Sequence, residues 1–268
     1  MNYLSQIKLK EKLNIYRFIL GFLKNRVLWD LNVKSWRSRS YFRKLKGAYK
    51  DKKLVLLCNG PSLNKVDFEL LKKSDVITIG LNKINLLFEK TDFRPDFIVS
   101  VNKFVIKQNK DFFNKTNIPL ILDSSASSYI KNNKNVNFLH SLPFQLKFAG
   151  DVTGSICQGY TVTYVALQLA YHLGFKKVAL VGCDHNFATK GSANMTIESG
   201  TFDPNHFSEK YFSDGVKWQL PDLLGSEIHY KMAKEYFEND NRSIVNCTEG
   251  GKLEVFSREK LLNFLKDV

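Results

Sequence analysis

Few residues in this 268-residue chain have the type and setting to do chemistry, and most of them follow short apolar runs. Five histidines occur, at positions 140, 172, 185, 206 and 229. His172 and His229 fall within helical periodicity and read as structural. His185 follows Asp184 at the end of the run VALVGC, where it would orient polar neighbours rather than react. His206 stands in FDPNHF, inside a stretch over 187–225 rich in Gly, Ser, Asn and aromatic residues. An imidazole there, with an ordinary pKa of about 6.5, suits a general base carried on a lid-like insertion. No histidine pair has metal-site spacing and no DxD triplet occurs, so the expectation is no tightly bound metal and at most a loosely bound Mg²⁺. Cys58, Cys157, Cys183 and Cys247 are too far apart for a CxxC cluster and read as buried thiols. The GxSxG elbow, the GxGxxG fingerprint and the GxxxxGK[ST] loop are all missing.

A second set of residues suits ligand binding. In CNGPSL, Gly60 permits a backbone turn, and Ser62 with the N–H groups of a following helix could hold an anion or a ribose beside Asn59. A plain Gly-Pro turn is the alternative. Asn82 in GLNK and Asn102 in SVNK are amides at two further run ends. They could read a base edge or sugar hydroxyls, or cap local turns. Thr153-Gly154-Ser155 precedes an apolar helical segment and would either meet a phosphate there or cap the helix.

These residues need a scaffold, and the apolar pattern predicts one. Runs at 53–58, 75–80, 96–101, 119–123, 178–183 and 243–246, with a weaker one at 136–139, read as strands. Helices are expected over 61–71, 161–173, 221–237 and 258–264. Buried strands alternating with helices predict an α/β fold: a single doubly wound, mostly parallel Rossmann-like sheet. Ligands of such sheets bind beyond the C-terminal strand ends. Asn59, Gly60, Ser62, Asn82, Asn102, Asp184 and His185 should therefore converge on one rim.

Charge divides the chain further. Residues 1–53 hold 15 Lys/Arg and 3 Asp/Glu, whereas the remaining 215 hold 25 and 23. The excess thus sits in the head, which argues against a wide nucleic-acid groove, and no nucleic-acid partner is expected. Apolar residues recur at three- and four-residue steps over 3–29, with Trp29 and Trp36 following. This reads as a basic amphipathic helical extension over 1–51, ahead of a catalytic domain over 52–268. Such a head suits an anionic membrane surface touched through residues 1–53, or packing on its own domain or on a sister subunit of a homo-oligomer. Its apolar stretch is broken by Arg17 and lacks a cleavage site, so it does not read as a signal peptide. No apolar run reaches the length of about 18 residues that a membrane span needs.

Taken in order, CNGPSL, GLNK, SVNK, TGSICQGY, LVGCDHNF, a loop with a late histidine and IVNCTEGGKLEVF resemble the bacterial MptE-like family. This is a Rossmann-like group related to archaeal 6-hydroxymethylpterin pyrophosphokinase. More distantly, the same pieces are similar to the sialyltransferases of glycosyltransferase family 42. The resemblance covers roughly residues 52–264. The second likeness implies a single-domain inverting transferase using a CMP-activated sugar such as a nonulosonic acid. Together with the basic head, the expected acceptor is a bacterial surface glycan or lipid-linked glycan at the inner face of the cytoplasmic membrane. By it, Asn59, Gly60 and Ser62 would border the donor nucleotide, Asn82 and Asn102 would contact nucleotide or sugar, and Gly154 and Ser155 would line the donor pocket. His206 would be the base, near Asp184 and His185. Those enzymes steady the leaving phosphate with tyrosines ahead of the histidine, and here none lies between Asp184 and His206. Tyr211, Lys210 or Lys217 would have to substitute. The first likeness implies instead diphosphate transfer from ATP to a pterin; a noncatalytic nucleotide- or glycan-binding protein is the third reading.

Overall fold

The computed structural model describes residues 14–131, 133–142, 147–188, 191–213 and 215–266. The part of the expected head helix that precedes residue 14 lies outside them. Eight strands form one sheet: β1 (Lys53–Leu57), β2 (Ile77–Leu81), β3 (Phe97–Ser100), β4 (Leu120–Asp123), β5 (Val136–Leu139), β6 (Lys177–Val181), β7 (Ser243–Asn246) and β8 (Ser257–Arg258). Their order across the sheet is β8-β7-β6-β1-β2-β3-β4-β5, and every pairing is parallel. The chain builds outward from β1 to β5, then returns to lay β6 against the other side of β1. The switch point thus lies between β1 and β6, where this class of sheet opens a crevice.

The strands read as continuous apolar runs because both faces are covered. Leu54, Leu56 and Cys58 face one core layer, with α6 (Val162–Leu173) and α7 (Leu223–Glu238). Val55 and Leu57 face the other, with α4 (Lys103–Gln108), α5 (Lys110–Lys115) and α8 (Leu261–Lys266). The helix expected over 61–71 is broken. A 3₁₀ turn over Pro61–Lys65 ends at Val66, and Asp67 caps a separate α3 (Phe68–Lys73) by accepting Leu70 N–H at 2.9 Å.

Ahead of the sheet lie α1 (Ile15–Asp30) and α2 (Val33–Leu45). Asn14 caps the first, accepting the Tyr16 and Arg17 N–H groups, and Asn32 caps the second. The second helix lies along the sheet edge at β5. Ser38 Oγ accepts the Phe138 N–H at 2.9 Å, Arg37 donates to the Val136 carbonyl at 2.6 Å, and Phe42 is buried in the first core layer. An edge strand is thereby capped by side chains rather than left open to pairing.

The stretch over 187–225 carries a short antiparallel pair, Thr196–Glu198 with Lys217–Gln219. Phe207, Tyr211, Phe212 and Trp218 are buried in the second core layer.

Candidate functional site

A cleft of about 450 Å³ opens at the switch point. Its floor is Cys58, Asn59 and Gly60 after β1, with Gly182, Cys183, Asp184, His185 and Asn186 after β6. Asn82 after β2 and Asn102 after β3 extend one wall, and the entry to α6 (Gln158 to Thr163) forms another. The 203–221 segment closes over them with Asn205, His206, Tyr211, Phe212 and Trp218. Four of the five non-glycine residues with positive φ among the described residues, Asn82, Tyr160, His185 and Asn194, line this one cleft. Such backbone costs free energy, and its concentration here makes the cleft the candidate site.

Asp184 is held from below. Its Oδ2 accepts the Ser62 hydroxyl at 2.7 Å and the Ser62 N–H at 3.2 Å. Only glycine fits at position 60: a Cβ there would overlap Asp184 Oδ2 and lie 2.8 Å from the Gly182 carbonyl oxygen. Ser62 therefore fixes Asp184 and does not itself line the cleft. His185 is turned the same way, its Nε2 3.1 Å from Glu227 Oε1 on α7. Asn102 accepts the N–H groups of Phe104 and Val105, capping α4, while Asn82 accepts from Ser100 Oγ at 3.1 Å. The Oδ1 of Asn59 is buried in the wall with no hydrogen-bond partner among the described residues, an acceptor that a base amino group or a sugar hydroxyl would satisfy.

Of the candidate residues, His206 is the one paired with a buried carboxylate. Its Nδ1 lies 2.7 Å from Asp203 Oδ2, so the carboxylate fixes the tautomer that leaves Nε2 as acceptor. Asp203 is buried and also accepts the Asn205 and Phe212 N–H groups. The His206 ring stacks on Tyr211, centroids 4.0 Å apart and planes 2° apart, and meets Phe212 edge-on at 5.2 Å. Burial pushes the Tyr211 phenol above its ordinary pKa, so its hydroxyl keeps its proton and can donate. Behind them sits Lys83, whose Nζ donates to the Tyr211 carbonyl at 2.6 Å and lies 4.9 Å over the Phe212 ring. Burial lowers Lys83 to about 8, against the opposing pull of Asp203.

Two expected groups lie elsewhere. Gly154 and Ser155 contact α1 instead: Arg26 Nη1 donates to the Gly154 carbonyl at 3.1 Å and to Ser155 Oγ at 2.5 Å, and His140 Nδ1 is 3.0 Å from the same hydroxyl. The reason is an intervening bridge, Ile156–Cys157 paired with Ser141–Leu142, which separates that turn from α6. The helix is entered through Thr161, whose Oγ1 accepts Thr163 N–H at 3.3 Å. Lys210 and Lys217 are exposed, with Nζ 3.5 Å from Glu89 and 3.9 Å from Glu198, and neither lines the cleft. Of the three leaving-phosphate candidates, the fold brings only Tyr211 beside His206.

Lys83, Gln158, Tyr160 and Trp218 are not singled out by sequence as site residues, whereas Asp203, which the pterin reading would use with Asp184 to hold Mg²⁺, is paired with His206. Asp203 had a legible signal, its spacing of three ahead of His206. Tyr160 had none; it owes its place to Gly225 on α7, where a Cβ would come within 2.6 Å of its ring. Among the described residues, no lysine or arginine lines the cleft. Its donors are N–H groups, amides and hydroxyls, with the positive end of the α6 dipole at one wall. Among the described residues, no three His, Cys, Asp or Glu side chains group to hold a metal ion.

Comparison with known proteins agrees with this architecture. The MAf glycosyltransferase from Magnetospirillum magneticum AMB-1 superposes with a TM-score of 0.51 at 15% identity, over 85% of this chain. The chain spans 38% of that protein's length, and at this identity the likeness is one of fold. No curated protein matches the sequence. A family model described as 6-hydroxymethylpterin diphosphokinase MptE-like matches residues 30–190, more than half of the chain, from the end of α1 through the strand ends at Asp184 and His185. The chain belongs to the MptE-like family.

Proposed function

We propose that this protein is a glycosyltransferase that moves a sugar from a CMP-activated donor, such as a nonulosonic acid, onto a bacterial surface glycan or lipid-linked acceptor at the inner face of the cytoplasmic membrane. The observation that carries the reading is the His206–Asp203 pair at 2.7 Å in the cleft wall. His206 Nε2 takes the proton of the acceptor hydroxyl as its oxygen attacks the anomeric carbon. The bond from that carbon to the phosphate oxygen breaks, and the nucleotide monophosphate leaves with the electron pair. Asp203 stabilises the imidazolium that forms, and the Tyr211 hydroxyl with the N–H groups at the start of α6 supports the departing phosphate. Asn59 and Asn82 are suited to hold the nucleoside.

The second reading is diphosphate transfer from ATP to a pterin, favoured by the family match. A triphosphate needs cations, usually Lys or Arg and carboxylate-held Mg²⁺. Among the described residues the cleft has no Lys or Arg, Asp184 is engaged by Ser62, and Asp203 by His206. A monophosphate leaving group suits this lining better. Calorimetry on the full chain with CMP, CDP, UDP, GDP and ATP, with and without Mg²⁺, separates the two. Selective CMP binding without metal is expected, and Mg²⁺-dependent ATP binding would overturn the reading. With a CMP-sugar and acceptor, His206→Ala should lower kcat by about 10²–10⁴-fold and leave CMP affinity within a factor of about three. A parallel loss of CMP binding would argue that His206 is structural.

A further inference from the structure

The described part of the head carries an apolar surface that the fold leaves open. On α1, Tyr16, Ile19, Leu20, Leu23, Val27 and Leu31 at its C-cap are all solvent-exposed, from 45% for Ile19 to 76% for Tyr16. Their spacing puts them within an arc of about 120° on the helix surface. Leu28, Val33 and Trp36 continue the exposed surface around the turn into α2. Isolated exposed apolar side chains are ordinary, but a contiguous stripe about four turns long is not.

The side of α1 next to this stripe, centred on Trp29 and Arg26, is where the helix meets the protein. Trp29 is buried, stacked on His140 with planes 19° apart and edge-on to Phe138, and Arg26 is tied to Asp30, Gly154 and Ser155. The stripe therefore faces outward because the inner face is already used. Charge identifies what it faces. Residues 14–53 contain 12 Lys/Arg and 2 Asp/Glu. Of the two acids, Asp30 is neutralised by Arg26 and Arg39. Arg17 and Lys24 flank the stripe, exposed and without an ion-pair partner among the described residues, as are Arg43 and Lys44 on α2.

We propose that this stripe, with the corner at Leu31–Trp36, is a docking surface for an anionic lipid bilayer. The apolar side chains enter the acyl boundary and the flanking cations meet the phosphates. A second copy of the chain is a poorer occupant, since a two-fold contact would bring Arg17 and Lys24 of one copy towards the same cations of the other. The inference goes beyond the cleft chemistry and does not depend on which nucleotide the cleft takes.

The test uses the full chain in flotation with phosphatidylcholine vesicles and with vesicles containing about one third phosphatidylglycerol. Binding to the mixed vesicles is expected, at least about tenfold tighter than to the neutral ones. The double variant Leu20→Glu and Leu23→Glu should lose at least about tenfold of that affinity, with its thermal midpoint unchanged because both side chains are exposed. Equal binding by the variant, or none by the parent chain, overturns the proposal. So does a lipid-free dimer that the double variant converts to monomer, which would assign the stripe to a second copy. The surface gives physical support to the membrane placement in the proposed function. Because vesicle binding is read without nucleotide, its failure removes that placement and leaves the sugar-transfer chemistry standing, and failure of CMP binding leaves this surface standing.

Discussion

At the scale of single residues, the site depends on which side chains are already committed. Asp184 and His185 come directly after a strand, the position that makes them look reactive, yet each is held by another side chain, Ser62 and Glu227. His206 is positioned by a carboxylate through one nitrogen and keeps the other as an acceptor. Gly60 shows how tight the floor is. Gly60→Ala adds one methyl group against Asp184 Oδ2 and the Gly182 carbonyl, so something must shift although the backbone at 60 is ordinary. Overpacking of this kind costs about 1–3 kcal/mol. Urea unfolding should show that loss, and calorimetry a CMP affinity weakened by roughly tenfold or more for a shift of that size. A variant as stable and as tight as the parent would show that the floor can relax.

At the scale of elements, the segment that brings His206 to the cleft is fastened to two strand ends. Phe207 N–H donates to the Asn59 carbonyl after β1, and Lys83 after β2 donates to the Tyr211 carbonyl. The second tie is a buried cation whose pKa is lowered by burial to about 8 from an ordinary 10.5. Lysine in the unfolded chain therefore binds more protons than in the folded one between those two values. Stability contributed at Lys83 must rise as pH increases through that window, since the cost of burying the charge is then relieved. Measured against Lys83→Met, which cannot titrate, the parent chain should gain on the order of 1–3 kcal/mol between pH 7 and about 10.5. Denaturant unfolding at matched pH values reads the difference, and a flat difference would mean that Lys83 stays solvated enough to keep its ordinary pKa.

For the whole molecule, the organising feature is a parallel sheet whose order reverses between β1 and β6, with a nearly neutral body and a cationic head. A cleft at that switch point is lined from both halves of the sheet, by the ends of β1, β2 and β3 and by the end of β6 with the segments after it. A ligand held there ties the halves together and stabilises the entire fold by mass action. CMP at a hundred times its Kd should add about 2.7 kcal/mol, roughly 5–10 °C in Tm, whereas ATP without Mg²⁺ should add little. Differential scanning calorimetry checks this. An equal shift by every nucleotide would point to unspecific anion binding.

The sequence by itself determined seven of the eight sheet strands, their burial on both faces, the parallel sheet and the strand-end rim. Each of these rests on apolar runs and periodicity within a few neighbours, as KLVLLC becoming β1 and VALVGC ending β6 illustrate. By contrast, β8 at Ser257–Arg258 falls where a helix over 258–264 is expected, because a two-residue edge pairing leaves no periodicity to read. His206 stands out as a candidate too, because a lone histidine in a polar, aromatic insertion is distinctive by type, and the structure places it on the cleft. Only the tertiary structure decided which polar residues face one another. Ser62 meets Asp184 across 122 positions, and Lys83 meets Tyr211 across 128, because β6 returns to the side of β1 that β2 leaves open. The same long-range geometry turned Gly154 and Ser155 towards α1 and kept Lys210 and Lys217 on the surface. Periodicity reports what a segment buries; partnership between distant segments depends on strand order, which no local pattern encodes.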